Sequence, residues 1–107
     1  MATSKEIELV GEIQRIAVRV NMQGKYHVFI EFSGHVNAVY VYLKDAKTGK
    51  HIDAFAEHDQ HVYLSTSYIA GIGEKMRDVI ADKVAQLEKL KADLLAFLDV
   101  DADGVPV

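Results

Sequence analysis

From residue 4 to residue 20 apolar side chains recur at helical spacing. Val10, Ile13, Ala17 and Val20 fall on one side, flanked by Leu9 and Ile16, while Glu8, Glu12, Arg15 and Arg19 fall on the other. The pattern predicts an amphipathic helix, with Thr3 or Ser4 capping its start. A strand over Ile16, Val18 and Val20 competes with it, because that end is β-branched and alternates.

After a turn around Gly24 the period changes to two. Tyr26, Val28, Ile30 and Phe32 alternate with His27, Phe29 and Glu31, which predicts a strand over 26–32. Ser33-Gly34 marks a tight turn, and a second strand over 36–43 completes an antiparallel hairpin. Thr48-Gly49 marks the next turn, followed by a strand over 51–56 and a short further one over 61–64.

A long helix is then predicted from Tyr68 to Leu98, with Ser65, Thr66 and Ser67 as candidate caps. Ile69, Met76, Ile80, Leu87, Leu94 and Leu98 share one line, with Ile72, Val79, Val84, Leu90, Leu95 and Phe97 beside it. The apolar stripe is about 160° wide, against about 100° as the lower figure for a helix facing one core. Such a helix reaches about 45 Å and a strand of this sheet about 25 Å, so part of the helix overhangs. Leu87, Leu90, Leu94, Leu95 and Leu98 then need cover, from the first helix or from a second protomer. A homo-oligomer, with a dimer favoured, is the expectation. A break at Gly71 or Gly73 that folds the helix back is the alternative.

The fold class is α+β: an N-terminal helix, a three- to four-stranded antiparallel meander and a long C-terminal helix. Residues 1–98 form one domain and 99–107 an acidic tail. If both helices cover one face of the sheet, Val28, Ile30, Phe32, Val39, Val41, Leu43, Ile52 and Ala54 point inward. His27, Phe29, Glu31, Tyr40, Tyr42, Asp53, Phe55 and Glu57 point outward. An outer patch of Phe29, Tyr40, Tyr42 and Phe55 suits protein contact, with His35 and Asn37 flanking the hairpin tip. The alternative arrangement reverses the faces or sets one helix against each.

Composition narrows the function. The 107 residues contain no cysteine, which excludes disulfides, thiolate nucleophiles and cysteine-rich zinc sites. Sixteen acidic residues against 12 basic ones argue against sequence-independent nucleic-acid binding. No apolar run predicts a signal peptide or a membrane span, so the expected location is cytoplasmic and no membrane partner is expected.

Two clusters carry candidate chemistry. Of the histidines at 27, 35, 51, 58 and 61, only His58 and His61 lie in a run of possible metal ligands, Glu57-His58-Asp59-Gln60-His61. Asp99, Asp101 and Asp103, followed by Gly104, match the first half of a calcium loop. Pro106 interrupts the pattern and no twelfth-position glutamate follows, so calcium binding is expected to be weak at best. The plainer reading is a frayed acidic terminus.

Residues 25–37, Lys-Tyr-His-Val-Phe-Ile-Glu-Phe-Ser-Gly-His-Val-Asn, contain a Y-H-V-F-x-x-x-S-G-H-V-x stretch. This resembles a stretch in small α+β proteins encoded by tailed phages and prophages, where it sits between an N-terminal helix and further strands. The resemblance implies at most a phage or prophage origin, and with that origin the host cytoplasm; a host or phage protein is the partner expected of a binding module of this kind. It assigns no catalytic residue. The reading is therefore a non-enzymatic protein-binding module that self-associates through its C-terminal helix. The alternatives are a small metal-dependent or acid–base enzyme using the histidine cluster, and a single-stranded nucleic-acid binder on the aromatic face.

Overall fold

The computed structural model describes residues 4–33, 38–52, 61–63 and 75–107. The chain runs α1 (Ser4–Met22), β1 (Tyr26–Ser33), β2 (Ala38–Asp45), β3 (His51–Ile52), β4 (His61–Tyr63) and α2 (Lys75–Leu95). This is the α+β order that the periodicity predicts.

Helical period prevails over β-branching in α1, because it places Leu9, Ile13, Ile16, Ala17 and Val20 together against the sheet and α2. Glu6 extends the same stripe and is fully buried. The helix closes with Gln23 N–H shared between the Arg19 and Val20 carbonyls.

β1 and β2 pair antiparallel without interruption, from Tyr26 against Asp45 to Ser33 against Ala38. With β1 along one side of β2, both β3 and β4 lie on the other. Leu43 pairs with Ile52 and Tyr40 with His61, so three positions along β2 correspond to nine along the chain. Both pair antiparallel with β2, β3 near its end and β4 near its start. Of the predicted third strand, 51–56, His51 and Ile52 are described as β3; residues 53–60 lie outside the described residues. At the β2–β3 turn, Asp45 Oδ1 accepts the N–H groups of Lys47 and Thr48 at 2.8 and 2.9 Å. Gly49 takes φ of 71° there, a conformation that side chains with a Cβ rarely adopt.

Both helices pack on one face. Leu9, Ile13, Val20, Val39, Val41, Leu43, Leu87 and Leu94 are essentially inaccessible and form one continuous core with Val28 and Leu90. Burial of each large aliphatic chain is worth about 1.5–3 kcal/mol. The alternative of one helix on each face is thereby removed. Phe32, predicted to point inward, stays 55 % exposed and does not join this core.

Of the two sources of cover expected for the leucines of the last helix, the first helix supplies most of it. Leu87, Leu90 and Leu94 are buried inside the chain, because α1 lies alongside α2 and is tied to it by Lys91 and Glu12 at 2.8 Å. The described helix has 21 residues, about 31 Å. It ends at Leu95 rather than Leu98, and Leu98 packs partly buried against the core. Of the predicted contact leucines, Leu95 stays 42 % exposed. The helix start predicted at Tyr68 and the glycines at 71 and 73 lie outside the described residues.

Candidate functional site

The outer face of the sheet is built from the odd positions of β1 and the even positions of β2. Backbone register sets Phe29 opposite Tyr42, Glu31 opposite Tyr40 and His27 opposite Lys44, with His51 of β3 opposite Lys44. Side chains opposite one another on one face of a sheet touch, and these join into a ladder. Phe29 stacks on Tyr42 with ring centres 4.7 Å apart and planes 8° from parallel. Tyr40 lies 5.2 Å from Tyr42, tilted by 39°. His51 stacks on the other strand side of Tyr42 at 6.5 Å, and the Lys44 ammonium sits 5.6 Å from the Phe29 ring centre.

None of these side chains belongs to the core between sheet and helices. Phe29 keeps 38 % of its surface exposed, while Tyr40 and Tyr42 are half-buried among their neighbours. The ring faces are largely engaged with one another or with Lys44. What the ladder offers a partner is therefore ring edges, phenol hydroxyls and a cation, in a fixed arrangement.

The structure brings together Phe29, Tyr40 and Tyr42 of the predicted contact residues. His35, Asn37 and Phe55 lie outside the described residues, as does His58 of the proposed histidine cluster. His61 lies in β4, paired through its backbone with Tyr40. Among the described residues no three His, Asp or Glu side chains come together as a metal site. Sequence reasoning passed over Lys44 and His51 as members of the aromatic face. The signal was present: Lys44 is two residues from Tyr42 on the same strand, and the turn at Thr48-Gly49 brings His51 back opposite Lys44.

The tail is a small hairpin, not a frayed end. Val100 bridges Pro106, Asp101 N–H donates to the Val105 carbonyl at 2.8 Å, and Gly104 turns the chain with φ of 80°. Asp101 Oδ1 accepts the N–H groups of Asp103 and Val105, both at 2.9 Å. Asp99 pairs through Oδ2 with Lys25 at 2.7 Å, which raises the lysine pKa above its ordinary 10.5. Gln23 completes the docking, accepting the Asp99 N–H and donating to the Asp99 carbonyl, each at 2.8 Å. Asp99 and Asp101 thus direct carboxylate oxygens at a lysine and at a turn, and Asp103 stays exposed.

Between α1, α2 and this hairpin lies an open groove of about 430 Å³, floored by Ile16, Leu95 and Val100 and rimmed by Arg15, Arg19 and Lys91. Among the described residues no helix is long and apolar enough to cross a membrane. No protein-family model, curated protein or solved structure matches the chain.

Proposed function

We propose that this chain is a protein-binding module whose contact surface is the outer face of its sheet, centred on Phe29 and Tyr42. The observation that carries this reading is the parallel stack of those two rings, with Phe29 still 38 % exposed, on the face that the helices leave aside. Aromatic side chains held in one geometry bind at low entropic cost, and tyrosine is enriched where interfaces are strongest. Glu31, Lys44 and the histidines at 27 and 51 supply a polar rim of mixed charge. With Leu87, Leu90 and Leu94 enclosed, helix-mediated self-association is no part of the proposal. The partner class is a host or phage protein, in keeping with the phage-like stretch at 26–37.

Base stacking, the competing use of an aromatic sheet face, needs open ring faces. Here Tyr42 has Phe29, Tyr40 and His51 around it, and Lys44 sits over Phe29. That packing favours protein contact over nucleic acid. The test is co-purification of tagged protein from its own host, wild type beside the Phe29→Ser/Tyr42→Ser variant. A protein retained by the first and lost by a folded second is the expected result. Equal retention by both contradicts the proposal.

A further inference from the structure

We infer that the edge of β1 facing away from β2, unpaired among the described residues, accepts an extended peptide strand carrying a lysine or arginine between two apolar residues. Asn21 reveals which way that edge points. Its side-chain oxygen accepts the Val28 N–H at 2.9 Å, and its nitrogen donates to the Val28 carbonyl at 3.0 Å. Val28 therefore turns both backbone polar groups away from β2. Lys25, at odd position, turns the opposite way and accepts the Ala46 N–H. In an unbroken antiparallel register this direction alternates, so Ile30 and Phe32 also turn their N–H and C=O groups outward. Among the described residues those groups have no hydrogen-bond partner, which is the condition for strand addition.

The edge is bounded and has a chemical preference. Asn21 occupies the position of a neighbouring strand at Val28, so an added strand stops short of it. Ile30 and Phe32 lie on the core side, and Phe32 is 55 % exposed, awaiting an apolar neighbour. Glu31, between them, is exposed on the outer face opposite Tyr40. A strand paired with Ile30 and Phe32 thus sets apolar residues beside those two and its middle residue beside Glu31. A second copy in the register that pairs Ile30 with Phe32 would oppose Glu31 to Glu31, which is repulsive. Charge complementarity selects a basic centre instead.

The probe is the peptide acetyl-Thr-Val-Lys-Val-Thr-amide, titrated into ¹⁵N-labelled protein at low salt. The expected result is that the amides of Ile30 and Phe32 shift and exchange more slowly with solvent. The glutamate-centred analogue binds about threefold or more weakly, and Glu31→Lys reverses that order. Tyr42→Ser retains the peptide response, which separates this edge from the aromatic face. Shifts elsewhere, equal binding of the two peptides, or Ile30 and Phe32 amides already as protected as Val28 in the free protein would overturn the inference.

Discussion

The side-chain amide of Asn21 closes on both backbone polar groups of Val28, at 2.9 and 3.0 Å, and the same nitrogen reaches the Ala17 carbonyl at 3.0 Å. One residue in the last turn of α1 thereby ties that helix to the third residue of β1. In Asn21→Ala the Val28 groups lose their partner and depend on water. Stability should fall by about 1–2 kcal/mol, read as a lower urea midpoint with unchanged slope. Val28 amide exchange should accelerate in the same variant.

Leu94 and Leu95 are adjacent in sequence and opposite in environment, one inaccessible and the other 42 % exposed. Leu94→Ala should cost about 2–5 kcal/mol through the cavity it leaves. Leu95→Ala should stay within about 0.5 kcal/mol. If Leu95→Ala proved the more damaging in unfolding experiments, the placement of α2 against α1 would be wrong.

The Asp45 carboxyl lies below its ordinary pKa of 3.8, because it accepts the backbone N–H groups of Thr48 and Lys47. Glu12 lies below its ordinary 4.5 through its hydrogen bond with Lys91. A carboxyl depressed in the folded state stabilises fully above its unfolded pKa, and that stabilisation disappears as pH falls through the folded value. Both contributions should therefore fade below about pH 4. The stability gap between wild type and Asp45→Asn should narrow from pH 5 towards roughly pH 2. A gap that stays constant over that range would show that the turn does not depend on the charge.

Gln23 holds the terminal hairpin, its side chain bonded to both backbone groups of Asp99. Gln23→Ala should speed amide exchange at Asp99 while leaving that at Val28 unchanged. Gly104→Ala, at φ of 80°, should cost about 1–2 kcal/mol locally. Unaltered exchange at Asp99 in Gln23→Ala would mean that the Lys25 pair alone retains the tail.

The parts of this fold that repeat are legible in the sequence. Period 3.6 in residues 4–20 places α1, period two in 26–32 places β1, and Asp45 with Gly49 announces a turn. The same alternation predicts the outward set of Phe29, Tyr40 and Tyr42. What the sequence conceals are single contacts between unlike segments. Asn21 with Val28 and Gln23 with Asp99 have no periodicity and join residues far apart in kind or in position. The stripe of Leu87, Leu90 and Leu94 shows an apolar surplus but not its cover, because one helix alone carries no information about the angle at which another lies on it. The aspartates of the tail are ambiguous in sequence for a related reason: a carboxylate suited to a cation is equally suited to the N–H groups of a turn, and Asp101 takes the second role here.

The most direct measurement is site-specific photo-crosslinking in the producing cells, with p-benzoylphenylalanine placed at 29, at 42 and, as a control on the outer side of α1, at 18. Adducts to one protein from positions 29 and 42, with none from 18, are the predicted result. Equal adducts from all three positions, none from 29 and 42, or adducts only to nucleic acid would contradict the assignment of the sheet's outer face as a protein-contact surface.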